Sequence, residues 1–242
     1  VALPTPLNVR RILEMDPRVA GRLRRNILAD DVELFDEAER MWRAVRDSDE
    51  IALMYWVDEV YGLSVNVRIV HDALGFLADA NEVHPVAEWL RGLQWDGVKR
   101  IDRLLSHYFG AIERPDVEGF DGLAARVSRA VLISMVARAM RQPCKVDTVL
   151  VLQGEEGSYK STALALLSPD PNWTCDTLLP RLADTVEVYT QIKGTWIYEI
   201  AEIERWLTGR PSDVDAVTAF VTGGTAKYRA KYGRNAEREP RM

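Results

Sequence analysis

Only two cysteines and three histidines occur in 242 residues, so the chain has little to offer a soft metal ion or a disulfide framework. Cys144 and Cys175 stand in no C-x-x-C spacing, and His71, His84 and His107 are scattered. Zinc-site and disulfide-scaffold patterns are both excluded. Long apolar runs are missing as well: charge breaks each one well short of the ~20 residues a membrane span needs. No basic-then-apolar leader opens the chain, so no membrane partner is expected and the location reads as cytoplasmic. Internal repeats and low-complexity tracts are absent too. A net charge of −6 argues against indiscriminate binding to nucleic acid, though it leaves room for a local basic patch. What is present is a hydrophobic share of 47%, ordinary for a globular protein and enough for one large domain or two small ones.

From Leu7 to about Phe109, apolar residues recur three and four apart, the spacing of amphipathic helices. Ile51, Met54, Tyr55 and residues 57–60 form one face. Ser64 is placed to cap a helix over residues 65–80, with Ile69, Leu74 and Leu77 inward. Trp42, Tyr55, Trp56 and Tyr61 read as core residues at this spacing rather than as base-stacking platforms. The pattern breaks at residues 81–86, because the residue before Pro85 is pushed out of the α region, and His84 there is a loop residue. Residues 93–100 carry an Asp-Gly turn, after which a helix over 101–109 closes at Gly110. The expected division is a helical N-terminal module over residues 1–95 and a nucleotide-binding part over 96–242, with a helical lead-in at 96–145.

A long amphipathic run over residues 120–141 leads past Pro143 into residues 147–153. This stretch is rich in Val and Leu and bounded by turn formers, the profile of a buried parallel strand. Then Gly154, Glu155, Glu156, Gly157, Ser158, Tyr159, Lys160, Ser161 and Thr162 pass from glycines into a lysine, two hydroxyls and a helical pattern. That layout is a phosphate-binding loop. Backbone N–H groups meet phosphate oxygens, Lys160 neutralises the β- and γ-phosphates, and the Ser161 hydroxyl completes a magnesium shell. ATP and Mg2+ are the expected ligands. One position departs from G-x-x-x-x-G-K-[ST]: Tyr159 stands where a glycine lets the backbone turn, with Gly157 two residues earlier. The bland alternative is a strand-turn-helix with an incidental lysine.

Residues 196–200 form a second candidate strand, so strand, helix and strand imply a right-handed α/β crossover. Glu199 ends that strand and Glu202 follows. These are the expected catalytic acids, one binding magnesium and the other orienting water. Glu199 is set beside Ser161 as the metal ligand, although spacing alone leaves the two roles exchangeable; for Glu202 and Glu204 a solvated helix face is the alternative. Further on, Ser212 caps a helix over 213–221 and a Gly-Gly turn leads into residues 226–234, where cations and aromatics alternate. In an extended hairpin Lys227, Arg229 and Lys231 share one face. Together with Arg234 they are candidate contacts for single-stranded DNA, against the alternative of an edge strand blunted by lysines.

Four stretches in this order carry a resemblance: His84-Pro85-Val86 with Leu93-Gln94-Trp95-Asp96-Gly97-Val98-Lys99-Arg100-Ile101-Asp102; Gly154 to Thr162; Trp196 to Glu202; and Tyr228 to Arg234, ending in Pro240-Arg241. On these the chain resembles the virulence-associated protein E (VapE) family, P-loop proteins of phages, plasmids and integrated elements related to superfamily 3 helicases and primase-helicases. The resemblance implies an ATPase, helicase-like, acting on single-stranded DNA in replication and assembling as a homo-oligomeric ring. It puts Lys160 and Ser161 on the phosphates and metal, Glu199 and Glu202 at the Walker B position, and the basic hairpin between Walker B and a sensor strand. Tyr159 departs from the pattern, as does Thr218, where related helicases often have lysine. The sensor asparagine and an arginine finger are expected beyond Met242, since the chain starts at Val1 and ends abruptly, like a fragment of a longer protein. The expected fold class is therefore α/β: a helical module followed by the front of a P-loop core, a parallel sheet with flanking helices, truncated at the C-terminus. Two rivals stand beside the ATPase reading. One is a non-catalytic nucleic-acid-binding initiator or regulator with a degenerate nucleotide site; the other, disfavoured by the hairpin, is a small-molecule kinase.

Overall fold

The computed structural model describes residues 3–112, 118, 122–141, 144–177, 185–201, 215, 225–228 and 237–240. The class is mixed α/β, and the chain divides into two compact units, Val1–Pro85 and Val86–Met242.

In the first unit α1 (Pro6–Met15) starts where Thr5 Oγ1 accepts from Asn8 N at 3.3 Å, with proline at the first helical position. Both choices suit a helix start. Val9 and Leu13, four apart on one face, are fully buried. Next comes a meander of β1 (Leu23–Asn26), β2 (Asp31–Asp36) and β3 (Met41–Ala44), antiparallel in register Leu23↔Leu34 and Leu34↔Arg43. It departs from the helical reading of residues 7–109. The helices α2 (Asp47–Tyr61) and α3 (Val67–Asp79) follow, and β4 (Glu82–Val83) joins β1 in parallel.

Asn66, rather than Ser64, caps α3, its Oδ1 accepting from Ile69 N at 3.0 Å. The core gathers Val9, Leu13, Leu23, Trp56, Val57, Leu63, Val70 and Leu74. Trp56 is a core residue as expected, and Trp42 is half-buried. Tyr55 is not in the core, since 66% of it is exposed, and Tyr61 packs edge-on against Trp56 with its outer side in water.

The second unit opens with α4 (Pro85–Gly92) and the Asp-Gly turn. Residues 101–109 do not form one α-helix. They make a 3-10 turn (Ile101–Arg103) and a wide π turn (Leu104–Tyr108), stopped at Gly110 with φ +66°. The wide turn is held by α5 (Leu123–Met140): Ser128, wholly buried, accepts from Leu105 N at 3.0 Å and donates to Ala124 O.

Residues 147–153 do not form the buried strand read from their composition. Val149 is 50% and Val151 60% exposed, and no described segment pairs with them. A strand persists only as a member of a ladder. The parallel pairing lies further on, where β5 (Thr174–Cys175) pairs with β6 (Ile197–Tyr198) through α7 (Thr185–Ile192). Tryptophans brace this pair. Trp89 of α4 meets Trp173 and Trp196, just ahead of the two strands, at 6.4 and 5.8 Å between ring centres, and Trp196 Nε1 donates to Met135 O. Finally β7 (Thr225–Tyr228) pairs antiparallel with β8 (Glu237–Pro240). Among the described residues no helix is long and apolar enough to cross a membrane.

Candidate functional site

The glycines and hydroxyls of residues 154–162 build a tight turn into α6 (Lys160–Ala165). Two residues make the reversal, both left-handed: Gly157 at φ +76° and Tyr159 at φ +58°. For tyrosine this conformation costs about 1–2 kcal/mol that glycine does not bear. The backbone nevertheless takes it. The Tyr159 ring stays 79% exposed, and its carbonyl accepts from Ala163 N at 2.9 Å, the first bond of the helix.

Lys160 curls back over the turn. Its Nζ donates to Gly154 O at 3.1 Å, to Glu155 O at 2.7 Å and to Ser158 Oγ at 2.9 Å. An ammonium has three N–H groups, and all three are used. Ser158 in turn donates to Glu155 O at 2.7 Å, pinning the turn from within. Glu155 and Glu156 are exposed, and Thr162 contributes its carbonyl to Leu166 N.

The sharpest contact joins two distant stretches: Ser161 Oγ donates to Glu199 Oε1 at 2.6 Å across 38 positions. Glu199 is held there by its backbone, because its N–H donates to Cys175 O at 2.8 Å and so fixes the end of β6 against β5. One residue earlier, the Tyr198 hydroxyl donates to Thr177 O. Burial, and then the nearby Cys175 and Asp176, push that phenol up to about 12.

Lys160, Ser161 and Glu199 are thus brought together. Glu202 lies outside the described residues, as do Arg229, Lys231, Arg234, Thr218 and, apart from the helical Asp215, the helix read over 213–221. Lys227 is on β7, opposite Arg238 in the register. Ser158, read from the sequence as part of the loop, bonds Lys160 and Glu155 within it; sequence reasoning missed Cys175, which acts through its carbonyl. The apolar bracing gave no pattern, since Trp89, Trp173 and Trp196 come from three separate stretches.

Among the described residues no group of three or more His, Cys, Asp or Glu side chains gathers for a metal. A hydroxyl and one carboxylate side by side are still a donor set suited to magnesium, which keeps several waters and takes its other oxygens from phosphates. Residues 90–242 match the family model of the virulence-associated protein E-like domain. No curated protein matches the chain.

Proposed function

Because the chain belongs to the virulence-associated protein E-like family, we propose that it binds ATP and Mg2+ at residues 154–162 and serves an ATP-hydrolysing, helicase-like protein of a phage, plasmid or integrated element. The observation that carries this is the Ser161–Glu199 contact at the start of the helix that the glycine turn and its Lys160 open. It sets a cation, a hydroxyl and a carboxylate at one turn, which is what a triphosphate and its metal require. Lys160 and the turn's N–H groups would hold the β- and γ-phosphates, and Ser161 with Glu199 would hold the metal. Bound magnesium supplies charge neutralisation to the transferring phosphoryl group. Glu202, three residues past Glu199, is assigned to orienting the attacking water.

In this reading the nucleotide-binding part spans residues 96–242 and acts in a homo-oligomeric ring. Single-stranded DNA meets the hairpin at Lys227, Arg229, Lys231 and Arg234. Calorimetric titration with ATP–Mg2+ tests the core of it: Lys160→Ala should abolish measurable binding with the circular dichroism spectrum unchanged, and an unaltered affinity would overturn the assignment. The non-catalytic regulator is a second reading, favoured by Tyr159. If the unaltered chain shows no heat with ATP–Mg2+ yet binds DNA, that reading replaces the first.

A further inference from the structure

The turn at residues 93–100 takes no part in the phosphate site, yet it is built with care. Asp96 Oδ1 accepts from Val98 N at 3.0 Å and from Arg100 Nη1 at 2.8 Å, while Oδ2 accepts from Arg100 Nη2 at 2.8 Å. Gly97, at φ +86°, makes the reversal. Trp95 Nε1 donates to Val98 O at 3.1 Å, which fixes the indole against the turn. The ring itself is 75% exposed. Its polar N–H is already spent, so what it offers a partner is an apolar π face. Tyr108, 54% exposed, brings a second ring close to Arg100. Aromatic surface held rigid in water loses little conformational freedom on binding.

The charges around it point to one class of partner. Asp96 is paired with Arg100 and Asp102 with Arg129, leaving Glu88 as the other acid between residues 86 and 108. Arg91, Lys99 and Arg103 are exposed and make no ion pair among the described residues. The helix α5, which carries Arg129, contains three arginines and no acid. Cations interleaved with exposed rings match a strand of phosphates and unpaired bases, since every base has a face to stack.

We propose that this turn is a contact for single-stranded nucleic acid, in which a base stacks on Trp95 and the flanking phosphates lie at Lys99 and Arg103. The contact uses other stretches of sequence than the basic hairpin and rests only on the part of the functional reading that gives the chain a single-stranded partner. Fluorescence anisotropy of a labelled dT oligonucleotide with the full chain tests it.

Trp95→Ala should weaken binding about tenfold, the loss of one base stack. Trp95→Phe, which keeps a ring but loses the bond to Val98, should retain most of the affinity, separating stacking from the folding of the turn. Lys99→Ala should flatten the slope of log K on log salt by about 0.7, one phosphate's worth. An abasic strand of equal length should bind the unaltered chain no better than dT binds the Trp95→Ala variant.

Equal dT affinity with and without Trp95, or equal affinity for the abasic strand, overturns the proposal. So does a Trp95→Ala variant that keeps its dT affinity but dissociates an oligomer in sedimentation, which would make the turn a subunit contact. A chain that binds ATP–Mg2+ but no dT loses this contact and keeps the nucleotide site; loss of dT binding on changing Lys227 but not Trp95 would leave the hairpin and remove the turn.

Discussion

Ser128 has no exposed surface, and its hydroxyl both donates to Ala124 O and accepts from Leu105 N. Ser128→Ala leaves the Leu105 N–H buried without an acceptor, so it should destabilise the fold by about 1–3 kcal/mol; urea denaturation measures this, and a loss near zero would mean that water replaces the hydroxyl. Asp96 makes a pH prediction. Its bonds from Arg100, and then from Val98 N, hold the carboxyl down to about 2. A folded value below the unfolded one gives stability that is present above the ordinary carboxylate range, ~3.9, and is lost as pH falls through the folded value. The Trp95 emission, taken as the difference between the chain and its Trp95→Phe variant, should therefore hold steady from neutral pH to about 4 and change as pH approaches 2. The meeting of Ser161 with Glu199 was legible in the sequence because the loop and the later strand carry these residue types at fixed places in their patterns. Tyr55 was misread because helical spacing says which residues share a face, and not whether that face is covered.

The meander of β1 to β3 escaped the sequence for an identifiable reason. Hairpins announce themselves through Asn-Gly or Asp-Gly at the turn, and neither loop has one. Asp30 and Arg40 take the left-handed position instead, at φ +51° and +53°. Asn26 Oδ1 and Asp36 Oδ1 each accept from two backbone N–H groups of the loop that follows. The start of α3 was misplaced by two residues because Ser64 and Asn66 are both capable caps; Asn66→Ala should cost about 1 kcal/mol in thermal or urea unfolding. The meander is tied to α2 by Arg43, which bonds Asp36 at 3.0 Å and Asp49 at 2.7 Å. Its guanidinium holds both carboxyls below their ordinary range. That stability is present above the ordinary range and lost on acidification below it. The urea midpoint should therefore fall between neutral pH and pH ~3, and Arg43→Met should shrink the fall; an equal fall in the variant would assign the acid sensitivity to other groups. Residues 147–153 had a strand's composition without a described neighbour to pair with, a dependence that no local window can register.

At the scale of the whole chain, charge follows the two units. Residues 1–85 hold sixteen acids against ten arginines and no lysine, so the entire net charge of −6 falls there, while 86–242 balance. The first unit also has its own core. A fragment ending at Pro85 should accordingly fold by itself with a cooperative urea transition, and Leu13→Ala should destabilise it by about 2–5 kcal/mol; a non-cooperative transition would show that its core is not self-sufficient. The mixed class could be read in advance from periodicity and motif. The lysine at the glycine turn carries a last consequence, for selectivity. An anion entering that turn must displace oxygens that already serve the ammonium, so it gains only the difference between two sets of partners. Small oxyanions such as sulfate or orthophosphate should consequently bind the turn only weakly.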